Sequence, residues 1–218
     1  MKLFLTSGGF EHQLLIDELL KLIGKPFSET SVAFIPTASN LEDGDKWWLI
    51  KDLKMCQKLK FKSVDIIDIS AIPEVVWKKR LLASDVLIFE GGNTYHLMYW
   101  INKSGLNKLL PGLLNTKVYI GISAGTIVTT PGLFLCTSEK EPLKNIGETI
   151  YDYGLSLVDF LVVPHINNAA FPENTFDYIE SEAKKITQPV YALDDNSVVI
   201  VNDKKIEVIS AGQWKKFN

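Results

Sequence analysis

The chain has little cysteine and little histidine. Only two cysteines, Cys56 and Cys136, occur in 218 residues. Two are too few for a disulfide framework, and they fit a reducing compartment, so a cytoplasmic location is expected. There are three histidines, His12, His96 and His165, and no two share a helical spacing suited to a metal. No CxxC pair occurs either, so neither a metal nor another cofactor is expected. No apolar run approaches the roughly 18 residues of a membrane span. The opening apolar stretch is short and breaks at Gly8-Gly9, unlike a signal-peptide core. Dense basic runs are lacking too. The formal net charge of -3 argues against a nucleic-acid face, and Lys78-Lys79-Arg80 and Lys184-Lys185 read as solvated helix faces.

What is present is an ordinary globular composition, 46% hydrophobic and 22% charged. No linker, repeat or low-complexity tract divides residues 1–218, so one domain is expected. Short apolar runs alternate with helical patterns. Strands are expected at Leu3–Thr6, Val32–Pro36, Val64–Ile69, Val86–Phe89, Val118–Ile122, Phe160–Pro164 and Val190–Leu193. A final pair, Val198–Asn202 and Lys205–Ile209, reads as a hairpin at one edge. The first five are nearly continuous in Val, Ile, Leu and Phe, as strands covered on both faces are. Helices are expected at Glu11–Ile23, Asp45–Leu59, Pro73–Ala83, Thr94–Asn102, Leu106–Leu114 and Phe171–Ile186. This βαβα order predicts an α/β fold with a doubly wound, mostly parallel sheet. Trp47 and Trp48 are adjacent in one helix and cannot both easily face the core, which points to a dimer contact or to a surface tryptophan.

In such a sheet, ligands gather beyond the carboxyl ends of the strands. Gly121-Ile122-Ser123-Ala124-Gly125 sits there, after one buried strand and before a helical segment. That is the pattern of a nucleophile elbow, in which a sharp turn exposes a serine hydroxyl. The backbone N–H of Ala124 is the expected oxyanion donor from the elbow. Glu90-Gly91-Gly92-Asn93-Thr94 ends the preceding strand, and the turn can present N–H groups from Gly91 or Gly92 to an anion. The third glycine of a dinucleotide fingerprint is missing. A serine nucleophile needs a base. Only His165 combines a strand end with a loop rim; His96 reads as structural, and His12 sits at a helix start near the Gly8-Gly9 turn. The acid that orients the base is sought among Asp194, Asp195, Glu139 and Glu141, with Asp195 favoured because it ends a strand on the same rim. Asn93 and Glu141 are the remaining expected substrate-binding residues.

A GGNT strand end, a GxSAG elbow about 30 residues later and a Pro-His strand end resemble the peptidase E family of serine peptidases, which includes aspartyl dipeptidases and cyanophycinases. The resemblance runs from Leu3 to about Val201. It implies a fold similar to class I glutamine amidotransferases, with Ser123 as nucleophile, His165 as base, and Gly92 and Ala124 at the oxyanion. Two departures matter. The aspartyl dipeptidases carry an Asp after the elbow, where this chain reads Glu139-Lys140-Glu141. The cyanophycinases place an acid at a strand end similar to Asp194-Asp195. The Arg-rich stretch of the dipeptidases has no counterpart between Asn167 and Lys185, so a bidentate carboxylate clamp is not expected there. The expected activity is hydrolysis of small peptides or amides without strict Asp specificity. The competing readings are an esterase and an impaired family member that only binds ligand.

Overall fold

The computed structural model describes residues 1–218. Ten strands and eight α-helices follow in order: β1 (Lys2–Thr6), α1 (Gln13–Ile23), β2 (Ser31–Ile35), α2 (Trp47–Lys58), β3 (Ser63–Ile66), α3 (Glu74–Ala83), β4 (Val86–Phe89), α4 (Thr94–Lys103), α5 (Leu106–Leu113), β5 (Val118–Ile122), α6 (Ala124–Ile127), α7 (Glu141–Asn145), β6 (Leu161–Val163), α8 (Phe176–Ala183), β7 (Val190–Leu193), β8 (Ser197–Asn202), β9 (Lys205–Ser210) and β10 (Trp214–Phe217).

Seven strands form the main sheet in the order β3-β2-β4-β5-β1-β8-β9. The first five pair in parallel, and β8 and β9 add antiparallel beside β1. The expected edge hairpin is therefore present. From β1 the chain steps outward to β2 and β3, then reverses through β4 to β5. Right-handed crossovers put helices on opposite faces when the direction reverses. The core has that division. Phe4, Phe34, Ile88 and Ile120 pack with Leu15 and Leu19 of α1 and Met55 and Cys56 of α2. Leu5, Ile35, Phe89 and Tyr119 pack with Trp77 of α3, Leu97 of α4 and Leu110 of α5. Period-two alternation sends neighbouring strand residues to these two faces, which explains the unbroken apolar runs.

The expectation that Phe160–Pro164 and Val190–Leu193 extend this sheet is corrected. β6 and β7 are parallel to each other, but with β10 they form a separate three-stranded sheet. Its apolar face packs on Ile179 and Ala183 of α8. The long helix expected from Phe171 is shorter, because residues 171–175 form a loop and Thr175 caps α8 through its side chain. No helix is long and apolar enough to cross a membrane.

Candidate active site

The end of β5 is pinned before it turns. The N–H of Ser123 donates to Thr6 O at 3.2 Å, and Thr126 Oγ1 donates to the same oxygen at 2.7 Å. Ser123 itself has φ 50° and ψ −107°, a strained conformation for a residue with a side chain. The elbow survives because its surroundings fix it. A Cβ on Gly125 would lie 2.0 Å from Phe89 O, so glycine alone lets the turn approach β4. Gly92 has φ 125°, and a Cβ there would lie 2.4 Å from Ala38 O. Gly91 brings the neighbouring turn against the Ser123 side chain, 3.3 Å from its Cβ to a Cβ built at Gly91.

His165 follows β6 at a positive φ of 62°. Its ring stacks on Phe171, centroids 4.4 Å apart and planes 8° from parallel. Nε2 lies 2.8 Å from Ser123 Oγ, and Nδ1 lies 2.6 Å from Asp195 Oδ1. The carboxylate can only accept, so the neutral ring carries its proton on Nδ1 and turns the Nε2 lone pair to the serine hydroxyl. Asp195 also accepts from Ser7 Oγ at 2.8 Å and from Asn168 Nδ2 at 2.5 Å. Burial opposes its ionisation, yet the bonds from His165, Ser7 and Asn168 outweigh burial and hold it at about 2. A hydroxyl, an imidazole and a carboxylate in one hydrogen-bonded line can move a proton off the hydroxyl.

The other candidate acids lie elsewhere. Asp194 accepts from the Asn196 and Gln213 N–H groups and from Ser197 Oγ, facing away from the imidazole. Glu141 opens α7 at the surface, pairs with Lys144 at 2.9 Å and is not among the residues that line the cleft described below. Glu139 is exposed, and its backbone oxygen accepts from Asn93 Nδ2. The Asn93 side chain also caps α4 through His96 N–H. Asn93 lines the cleft but has both ends of its amide engaged. His12 caps α1, and His96 is half-buried, its pKa lowered chiefly by burial. Three or more potential metal ligands converge nowhere.

A family model described as Peptidase family S51 matches residues 3–209. An uncharacterized peptidase of Listeria monocytogenes is 31% identical over 208 residues, covering 94% of this chain and 96% of that one. This chain belongs to peptidase family S51. A peptidase E of Nostoc is 27% identical over 147 residues, covering 61% of this chain and 59% of its own. A crystal structure of a candidate peptidase E from Listeria monocytogenes superposes with a TM-score of 0.81 at 27% identity, covering 97% of this chain and 98% of that one. A peptidase from an acI-B1 Actinobacterium shares the fold at TM-score 0.66 and 16% identity, covering 99% and 96%.

In this S51 chain the hydroxyl–imidazole–carboxylate line opens on a cleft of about 710 Å³. Its wall carries Glu42, Asp43, Asp52, Glu90, Glu139 and Asp195, against Lys51 as the one lysine and no arginine. Lys51 is already held by Gly8 O at 2.9 Å and lies 3.5 Å from Glu11. Trp47, 62% exposed, and Trp48 both line the cleft. Ser7, Asn168 and Phe171 escaped the sequence reading as partners of His165 and Asp195. Ser7 follows the strand expected at Leu3–Thr6 and Asn168 lies shortly after Phe160–Pro164, but nothing in their local pattern named a target.

Proposed function

We propose that this S51 member hydrolyses amide bonds of short peptides by acyl transfer through Ser123. The observation that carries the reading is the unbroken line from Ser123 Oγ through His165 to Asp195. His165 Nε2 takes the hydroxyl proton as Oγ bonds to the substrate carbonyl carbon. The oxyanion is received by the N–H groups of Gly92 and Ala124, neither of which donates a hydrogen bond within the protein. The C–N bond then breaks, and His165 returns the proton to the leaving amine. Water attacks the acyl ester with His165 again accepting a proton, the Oγ–C bond breaks, and Ser123 recovers its hydrogen. Asp195 stays ionised and steadies the imidazolium.

The charge of the cleft bears on substrate. An acidic side chain would meet several carboxyls and no guanidinium, so strict specificity for an N-terminal Asp does not fit. Cys56 and Cys136 are both unpaired, which supports action in the reducing cytoplasm. The test is covalent labelling by a fluorophosphonate followed by peptide mass mapping. The adduct is expected on Ser123, and a chain that does not label there would overturn the mechanism.

A further inference from the structure

The three residues of the hydrogen-bonded line come from two sheets. Ser123 ends β5 of the large sheet, while His165 and Asp195 follow β6 and β7 of the small one. No strand pairing joins the two sheets. Hydrogen-bond ladders therefore do not set the distance from His165 to Ser123, and contacts at the boundary must do so.

Two consecutive residues at the end of β1 stand at that boundary. The carbonyl of Thr6 holds the Ser123 N–H at 3.2 Å. The next residue, Ser7, is fully buried, and its Oγ accepts the His165 backbone N–H at 2.7 Å. The same hydroxyl donates to Asp195 Oδ1 at 2.8 Å. One chain segment thus grips the backbone of the nucleophile with one residue and the other two members with the next. Asn168 completes the hold from the far side. Its Nδ2 donates to Asp195 Oδ2 at 2.5 Å, and its N–H donates to His165 O at 3.2 Å.

We infer that Ser7 is a positioning residue that clasps the small sheet to the large one, and that Ser7 and Asn168 together fix the Asp195 carboxylate against the His165 ring. The inference rests on the proposed triad. Without the Ser7 hydroxyl, a backbone N–H is left unpaired in a buried place and Asp195 loses one of three donors. The ring is then less well aimed, and small misplacements of a catalytic group are costly in rate. A carboxylate with fewer donors also holds a neighbouring cation more tightly. The acid limb of the reaction should therefore move to higher pH.

The experiment compares fluorophosphonate labelling rates of the full chain, Ser7→Ala and Asn168→Ala across pH, with folding checked by circular dichroism. Ser7→Ala is expected to label roughly 10- to 100-fold more slowly, with its acid midpoint displaced upward. Asn168→Ala should displace the midpoint in the same direction with a smaller loss. Wild-type rate and midpoint in folded Ser7→Ala would overturn the inference, as would a slower rate with an unmoved midpoint, the mark of a merely structural serine. Should Ser7→Ala not fold, an unmoved midpoint in Asn168→Ala overturns it equally. A wild-type chain that fails to label condemns the triad reading instead. In that case the downfield Nδ1 proton resonance of His165 still reads the clasp. Loss of that resonance in Ser7→Ala supports it, and persistence overturns it.

Discussion

His165 Nε2 lies 2.8 Å from Ser123 Oγ, although the strands that carry the two residues belong to different sheets. The contact joins a strained elbow on one side to a left-handed strand end on the other. Removing the hydroxyl tests it directly. Ser123→Ala should lower peptide turnover by at least about 10³-fold while leaving the circular dichroism spectrum and thermal midpoint near wild type. Residual activity at the wild-type level would show that another group attacks.

The choice of acid makes a paired prediction. Asp195→Asn removes the charge facing His165 Nδ1 and allows the wrong tautomer, so kcat should fall by about 10³- to 10⁴-fold. Glu141→Gln alters an exposed surface pair with Lys144 and should leave kcat within about twofold. Steady-state kinetics on one dipeptide compares both, and the reverse ranking would make Glu141 the acid.

Substrate preference follows from the wall of the cleft. In a panel of Asp-Leu, Ala-Leu and Lys-Leu, Asp-Leu is expected to be the poorest by kcat/KM. The penalty for seating a like charge beside Glu42, Asp43 and Glu139 is on the order of 1 kcal/mol, or about fivefold. A clear preference for Asp-Leu would mean that a cation reaches the pocket from a residue outside its wall.

The elbow also depends on the absence of a side chain. Gly125→Ala would drive a Cβ to 2.0 Å from Phe89 O, a backbone atom of a central strand that cannot swing aside. Loss of stability by about 3 kcal/mol or more, read from urea midpoints, is expected. A variant of wild-type stability would show that the elbow can rearrange.

Asp52, beneath Gly9, and Glu90 are almost wholly buried, and Asp52 Oδ1 and both Glu90 carboxyl oxygens accept no hydrogen bond, with Lys51 Nζ 3.7 Å from Asp52 Oδ1. A shared proton relieves this, since one carboxyl can then donate to the other. Burial pushes Asp52 up to about 6 and, with the charge of Asp52, drives Glu90 well upward. These groups bind protons more tightly in the folded chain than in the unfolded one. Their contribution is therefore complete below about pH 4 and is lost as pH rises through about 6 and beyond. Asp195, held at about 2, works in the opposite sense but only below about pH 4. Because the lowered pKa of His96 works the other way in this range, the signal is the difference: between pH 5 and 8, the wild-type urea midpoint should fall relative to that of Glu90→Gln. Equal slopes would show that the pair does not titrate in this range.

Much of this was written in the chain itself. The unbroken apolar runs of β1, β2, β4 and β5 announced strands covered on both faces. Gly121 and Gly125 around Ser123 announced a turn that only glycine permits. With so few histidines, His165 was the natural base. These features are local: each depends on residue volume, backbone freedom or period, and all of these travel with the sequence.

What folding alone decided were the relations between distant segments. Composition marks Leu161–Val163 and Val190–Leu193 as buried strands but cannot say which sheet receives them. Asp194 and Asp195 are adjacent, and alternation sends neighbours to opposite sides. Which of the two meets the imidazole depends on how the small sheet is set against β1. Ser7, Asn168 and Phe171 gain meaning only from that placement, because a hydroxyl, an amide or a ring acquires its partner through space. The sequence determined that Ser123 would stand at a sharp turn. The tertiary structure decided what stands 2.8 Å away from it.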